Sequence, residues 1–169
     1  MKQVEFLDKI VLVKDKIYRL SLSILKDHQS SQDATQEVII KLWNHRKKMD
    51  KMPNFIGYTL RITKNHCFDV LRKQAKVLNI QKDLDTPTVD PSKEYESKDL
   101  IVFVEKAINQ LPDLQRVVIQ LRDVEQMDFT EIATVLSSSE AAVRMNLSRA
   151  RRTIKDYVLK MESYGVSKS

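Results

Sequence analysis

The chain has 169 residues, a formal net charge of +6, 42% hydrophobic residues and 31% charged residues. These values predict a folded, soluble chain of one medium domain or two small ones, and exclude a large enzyme scaffold. The two glycines, Gly57 and Gly165, are too far apart for a phosphate-binding loop, which excludes a P-loop, a Rossmann fingerprint and a Gly-rich kinase loop.

Helical spacing of apolar residues predicts three helices in the first half of the chain. Residues 1–28 fit one helix or two short ones, and Ser30 and Ser31 are candidate N-caps for the next. That second helix places Leu42 and Trp43 on an apolar face, and a third helix is predicted from about Asn54 to Gln74. We expect a first helical domain over residues 1–75.

The segment 76–98 lacks apolar periodicity and contains Pro87, Pro91 and five acidic residues, so it is predicted to be a flexible, acidic linker. Helical spacing resumes beyond it and predicts a second domain over 99–160, with a new helix near Pro112. Residues 161–169 are predicted to be a disordered tail. The fold class is therefore all-α, with two small helical domains on a flexible linker.

The second domain contains the pattern of a helix-turn-helix. A short helix begins near Phe129 with Thr130 as its candidate N-cap, and a Ser-rich turn leads to a longer helix capped by Ser139. From Arg144 to Lys160 that helix carries six Lys or Arg and one Asp, a charge of +5. Such a face can neutralise DNA phosphates, whereas the alternative is a solvated charged face.

A second basic helix runs from Arg61 to Lys76, where five Lys or Arg and one Asp give +4. Aromatic residues among cations are typical of single-stranded nucleic-acid binding, because bases stack on the rings. Phe68 fits this role and fits a core position equally well.

Acidic and amide residues on the second predicted helix form a third signal, in which Asp33 and Glu37 are i,i+4 neighbours. Paired carboxylates are compatible with acid–base catalysis, but a polar protein-docking face is the better interpretation because no nucleophile or pocket is evident. The three histidines lack metal-ligand spacing, and His66 and Cys67 are interpreted as structural. We expect no catalytic residue, no metal and no cofactor.

The expected localisation depends on sequence features of secreted and membrane proteins that the sequence lacks. The single cysteine excludes an internal disulfide, and no apolar run has the length of a signal peptide core or a membrane span. We expect a cytoplasmic setting, with nucleoid association when active and no membrane insertion.

Three ordered segments resemble bacterial sigma factors. Residues 33–43 (DATQEVIIKLW) resemble their core-polymerase-binding segment, and residues 62–73 (ITKNHCFDVLRK) resemble their promoter-melting helix. Residues 111–116 (LPDLQR), 129–133 (FTEIA) and 147–152 (LSRARR) resemble their minus-thirty-five-binding domain. Two such domains in a chain of this length resemble the extracytoplasmic-function group. The turn of this group often carries a glycine where this chain has Ser137.

The resemblance implies a factor that binds the clamp helices of RNA polymerase core, binds promoter DNA and is often held inactive by an anti-sigma factor. The implied core-binding residues are Asp33, Gln36, Glu37, Leu42 and Trp43. The implied minus-ten residues are Tyr58, Arg61, Lys64, Asn65, Asp69, Arg72 and Lys73. The implied minus-thirty-five residues are Glu140, Arg144, Ser148, Arg149, Arg151, Arg152 and Lys155.

Two other classes are compatible with parts of the pattern. A stand-alone helix-turn-helix regulator accounts for the second domain and leaves residues 33–43 without a role. A nucleic-acid enzyme such as a recombinase or nuclease requires a metal-binding acidic cluster or a nucleophile, and the sequence offers neither.

Overall fold

The computed structural model describes residues 1–81 and 100–166, and in these ranges every regular element is helical. The predicted all-α fold is therefore confirmed. The α-helices are α1 (Gln3–Leu25), α2 (His28–Met49), α3 (Phe55–Gln81), α4 (Leu100–Gln110), α5 (Asp113–Ile119), α6 (Phe129–Leu136) and α7 (Glu140–Val166). A π-helical turn, Gln120–Val124, continues α5. None of the described helices combines the length and apolarity needed to cross a membrane.

The first domain is the three-helix unit α1–α3, in which each helix contacts the other two. Phe6, Ile10, Val13 and Ile17 of α1 follow one helical stripe and are buried against residues of α2. This spacing of four, three and four residues keeps one face of α1 towards the core. The core explains why α1 is a single helix rather than two short ones.

For two of the three helices with predicted N-caps, the structure shows a different capping residue. Helix α2 is capped by Asp27, whose carboxylate accepts a hydrogen bond from the Ser30 N–H at 2.7 Å, while Ser31 lies buried inside the helix. An N-cap side chain reaches the second or third N–H after it, so the capping residue lies further upstream than Ser30.

In the helix-turn-helix, the predicted N-cap is wrong for the first helix and correct for the second. Asp128, not Thr130, caps α6, and it forms a reciprocal capping box with Glu131. Ser139 caps α7 as predicted, because its hydroxyl accepts from the Ala142 N–H at 3.1 Å. Pro112 directly precedes α5, in agreement with the prediction.

Two helices are longer than predicted. Helix α3 continues through Gln81, so residues 76–81 of the predicted linker are helical, and residues 82–98 lie outside the described ranges. Helix α7 continues through Val166, so the predicted disorder is wrong for 161–166. Both segments lack proline, which would interrupt the preceding helix. Residues 167–169 also lie outside the described ranges.

The two domains are docked on each other. Helix α5 and the π-helical turn contact α1, and α6 contacts α3. One continuous apolar cluster includes Leu20 and Leu60 of the first domain and Val117 and Ile132 of the second. The docked arrangement decides which of the predicted binding residues are accessible.

Candidate nucleic-acid and partner-binding surfaces

The predicted minus-ten residues of α3 divide into two groups. Four of them repeat at helical spacing along one exposed stripe, namely Arg61, Asn65, Asp69 and Arg72. Asp69 and Arg72 form an ion pair with each other, and Lys73 is exposed beside the stripe. Tyr58 is half-buried and packs against the core of the first domain. The stripe therefore exposes two arginines to solvent, of which Arg72 is paired with Asp69.

The neighbouring side of α3 faces the second domain. Phe68 and Leu71 are half-buried against the cluster that includes residues of α6. Lys64, one turn before Phe68, is also half-buried. Its burial lowers the pKa of its ammonium, and the nearby positive charge of Arg61 has a smaller effect in the same direction. The structure thus shows the core alternative for Phe68, and its role in nucleic-acid binding stays a prediction.

All the predicted minus-thirty-five residues on α7 are exposed. They comprise Glu140, Arg144, Ser148, Arg149, Arg151, Arg152 and Lys155. The opposite side of the helix is buried through Val143, Leu147 and Ala150. Apolar spacing of four and three residues thus fixes which side of α7 is available to DNA.

Two of these cations have partners inside the domain. The guanidinium of Arg144 lies 4.0 Å from the ring centroid of Phe129, and Arg122 lies 4.5 Å from the same ring. Arg151 forms an ion pair of 2.6 Å with Asp123. Arg149 and Arg152 form no ion pair within the described residues. Stacking engages the face of a guanidinium and leaves its N–H edges for a phosphate or base.

The start of α7 is fixed to the preceding helix. Glu140 accepts a hydrogen bond from the Thr130 hydroxyl at 2.6 Å, which joins α7 to the first turn of α6. The turn between these helices contains Ser137 in the left-handed conformation, with φ of 51°. The resemblance implied a glycine at this position, and the turn forms here with a serine.

The predicted core-binding residues of α2 do not share one environment. Asp33, Gln36 and Glu37 are exposed on one face. Leu42 is fully buried in the first domain, so its predicted role in a direct contact is corrected to a core role. An apolar residue with this spacing packs inward with Val38, one turn earlier.

Trp43 is half-buried, and its ring contacts the side chains of Phe6 and Arg46. Its ring meets Phe6 edge to face at 5.1 Å, and the Arg46 guanidinium lies 3.9 Å from the ring centroid. The sequence analysis missed Ile40, which is 52% exposed and follows Asp33 and Gln36 on the same face. Single exposed apolar side chains are common on protein surfaces, so Ile40 is relevant here because it shares a face with the three polar residues predicted to dock.

His66 and Cys67 have local structural partners. His66 Nδ1 lies 2.9 Å from Lys41 Nζ, and the Cys67 thiol donates to Ser21 Oγ at 3.5 Å. Burial raises the pKa of Cys67 to about 11, against the weaker effect of the Ser21 hydrogen bond. No group of three or more metal-ligating side chains occurs in the described part of the chain.

Two family models match the chain in order. Sigma-70 region 2 matches residues 11–77, and sigma-70 region 4 matches residues 104–154. These ranges coincide with the α1–α3 domain and the helix-turn-helix domain, and together they span most of the chain.

Curated relatives match across both domains. One is named ECF RNA polymerase sigma factor SigE, from Mycolicibacterium smegmatis, and it is 29% identical over 88% of this chain and 60% of its own length. A probable RNA polymerase sigma factor RfaY from Xanthomonas campestris is 27% identical over 89% of this chain and 39% of its own length. ECF RNA polymerase sigma factor SigW from Bacillus subtilis is 26% identical, over 89% of this chain and 87% of its own length. The chain thus spans less than two thirds of the first two relatives.

Solved structures share the fold. A sigma factor RpoE from Bartonella quintana, in complex with the anti-sigma factor NepR, superposes with a TM-score of 0.76 at 21% identity over 92% of this chain and 97% of that chain. CnrH, in complex with the cytosolic domain of CnrY, gives a TM-score of 0.68 at 20% identity, over 92% and 88% of the two chains.

Proposed function

Because the chain belongs to the sigma-70 family, in its extracytoplasmic-function (ECF) group, we propose that it is a promoter-specificity subunit of bacterial RNA polymerase. It binds the polymerase core, recruits it to two DNA elements and stabilises strand opening. The observation that carries the proposal is the ordered match of region 2 and region 4 to two domains whose exposed surfaces have the required charges.

The exposed face of α2 is the proposed contact with the clamp helices of the core. Its carboxylates, Asp33 and Glu37, supply negative charge, and Ile40 supplies an apolar centre. Interfaces commonly combine an apolar core with a polar rim, which this face provides on one helix side. Trp43 contributes by holding α2 against Phe6 of α1.

The two basic helices are the proposed DNA-binding elements. The stripe containing Arg61 and Arg72 on α3 lies against the minus-ten element and its separated strand, with Lys64 and Phe68 beside it. Helix α7 enters the major groove of the minus-thirty-five element, where Arg149 and Arg152 contact phosphates or base edges. Two separate basic surfaces on two domains support reading of two separate elements.

The proposed activity needs no chemistry from the chain itself, so we assign it no enzymatic role. An anti-sigma factor is the proposed regulator, since the two structural neighbours are in complex with an anti-sigma factor or with the cytosolic domain of CnrY. The proposed site of action is the cytoplasm, on the nucleoid. The acidic segment within 82–98 is proposed to thread near the active channel of the polymerase.

Core binding tests the proposal against a stand-alone DNA-binding regulator. The purified full chain, mixed with core polymerase from the same bacterium, is expected to elute with core in size-exclusion chromatography. A stand-alone regulator predicts no such complex, together with DNA binding by the isolated chain. Absence of a complex at micromolar concentrations of both components would contradict the proposal.

A further inference from the structure

The ring of Phe129 contacts two arginine side chains that are distant from each other in the sequence. Phe129 is the first residue of α6 and is half-buried against the apolar cluster that includes Leu147 of α7. The guanidinium of Arg144 lies 4.0 Å from the ring centroid, and that of Arg122 lies 4.5 Å from it. Both distances are well within the limit of about 6 Å for a cation–π contact. The ring thus connects α7 to the π-helical turn that precedes α6.

The two arginines differ in how they are held. Arg122 is half-buried, and its Nη1 donates a hydrogen bond of 2.7 Å to the main-chain carbonyl of Met127. Arg144 is exposed and forms no hydrogen bond or ion pair with the residues that the structure describes. Its contact with the Phe129 ring is therefore the interaction that orders its guanidinium. Arg122 has a second anchor, so the ring matters most for Arg144.

The position of the ring relative to α7 is set by contacts other than the stack itself. The capping box of Asp128 and Glu131 fixes the first turn of α6, in which Phe129 lies. The next residue, Thr130, donates a hydrogen bond of 2.6 Å to the carboxylate of Glu140, one turn before Arg144 on α7. Two neighbouring residues of α6 thus engage residues 140 and 144 of α7. The ring is therefore in place before any ligand binds.

Ordering of Arg144 in the unbound chain has an energetic consequence. A free arginine side chain loses rotamer freedom when a phosphate or a base fixes it, and this loss weakens binding. Stacking on a ring removes part of that freedom beforehand, so less is lost when DNA binds. The ring occupies only the face of the guanidinium, and the N–H groups in its plane stay available to acceptors on DNA. A residue that touches no DNA can in this way strengthen DNA binding.

We propose that Phe129 is a positioning residue for the minus-thirty-five contact, which it strengthens by holding the guanidinium of Arg144 in an ordered stack. This inference rests on the proposed function, because Arg144 lies on the helix assigned to that element. Arg149 lies on the same helix, is exposed and has no aromatic partner among the described residues, so the ring does not order it. Position 129 therefore requires an aromatic side chain for Arg144 and not for Arg149.

Nuclear magnetic resonance of the full chain tests whether the stack forms in solution. Ring currents shift protons above an aromatic face upfield, so the side-chain Hε and Hδ signals of Arg144 are expected upfield of those of Arg149. The variant Arg144→Lys identifies the Nε–Hε signal of Arg144 by its absence. Phe129→Leu is expected to return the Arg144 signals to the range of an exposed arginine. Phe129→Tyr retains an aromatic ring and is expected to preserve the upfield shift.

Holoenzyme binding to promoter DNA then tests whether the stack serves DNA binding. The probe is a fluorescent duplex taken from upstream of a transcript start that requires the chain. Phe129→Leu is expected to weaken binding about threefold, the effect of losing one exposed cation–π contact, while Phe129→Tyr stays near wild type. Arg144→Ala is expected to cost about threefold less affinity in the Phe129→Leu background than in wild type. Arg149→Ala is the matched control and is expected to cost the same in both backgrounds.

A purely structural role of Phe129 gives a different pattern. If Phe129→Leu merely displaces α7, the costs of Arg144→Ala and Arg149→Ala shrink together, and that result overturns the proposal. Equal costs of Arg144→Ala in both backgrounds overturn it as well, and so does an Arg144 signal that Phe129→Leu leaves unmoved. If Phe129→Leu lowers the helix content in circular dichroism, Phe129→Met replaces it, because the flexible methionine side chain fills the space without a ring. Core binding by the wild-type chain tests the proposed function separately, so the two failures are distinguishable.

Discussion

Cys67 shows how burial sets the chemistry of a single side chain. It is the only cysteine in the sequence, is fully buried in α3 and has a pKa of about 11 against an ordinary value of 9.0. The thiol rather than the thiolate is favoured in the folded chain, which makes Cys67 unreactive near neutral pH. The sequence indicated a structural role from its spacing, and the structure supplies the physical cause.

The Cys67 thiol predicts a specific pH dependence of stability. Because its folded pKa lies above the unfolded one, its contribution is present below pH 9.0 and is lost as pH rises towards about 11. Between pH 8 and pH 10.5, we expect wild type to lose about 1–2 kcal/mol more unfolding free energy than Cys67→Ala. Urea unfolding of both proteins measures the difference, in which other titrating groups cancel. Parallel pH profiles would contradict this account of the thiol.

Ser137 also carries an energetic cost at the level of one residue. Its φ of 51° places a side chain in the left-handed region, which glycine adopts without the Cβ penalty. Ser137→Gly is expected to stabilise the second domain by about 1 kcal/mol. Ser138→Gly is the matched control, since Ser138 has no positive φ and glycine there only adds unfolded-state freedom. Thermal unfolding of the two variants distinguishes the cases, and an equal effect of both would show that the turn is unstrained.

At the scale of helices, apolar spacing predicted which faces are buried, while partners of charged groups were not predictable. The stripe of α7 was correct at Val143, Leu147 and Ala150. The stacking of Arg144 on Phe129 and the pairing of Arg151 with Asp123 join residues 15 and 28 positions apart. Such pairs depend on how α7 packs against α6 and the π-helical turn, which a single-helix pattern does not contain.

These partners predict an order of importance along α7. Arg149→Ala is expected to weaken promoter binding more than Arg151→Ala, because Arg149 forms no ion pair with the residues that the structure describes and Arg151 already forms one with Asp123. Loss of one phosphate contact reduces the salt slope of DNA binding by about 0.9. Holoenzyme binding to promoter DNA at several salt concentrations measures both effects, with core binding unchanged as the control. A slope altered more by Arg151→Ala would contradict the assignment.

Helix α2 yields a separate prediction for core binding. Glu37→Arg is expected to weaken binding to core about tenfold because it reverses a charge on the proposed docking face, with no loss of thermal stability because the residue is exposed. Asp8→Arg, an equal charge change on an exposed part of α1, is the matched control. Trp43→Ala is a poor test, because the ring packs on Phe6 and its loss destabilises the domain. If Glu37→Arg binds core with unaltered affinity, the docking site does not lie on this face of α2.

At the scale of the whole molecule, the composition and the ordered motifs were sufficient for the fold class and the family, but not for domain docking. The net charge of +6 is concentrated in two helical surfaces, which the sequence already indicated. Glu125 lies in a segment without a distinguishing pattern, and the LPDLQR segment that ends at Arg116 gives no indication of a contact with α1. The hydrogen-bond partners of both residues on α1 are about 90 to 110 positions away. Docking therefore became visible only in three dimensions.

Transcription in vitro tests the central claim most directly. Core polymerase from the same bacterium is incubated with fragmented genomic DNA, with and without the full chain, and the 5′ ends of the transcripts are mapped. The account predicts new 5′ ends that require both core and chain, preceded by two shared elements about 25 base pairs apart, the distance that two separated DNA-binding domains would read. The same set of 5′ ends with core alone and with core plus the chain would contradict it.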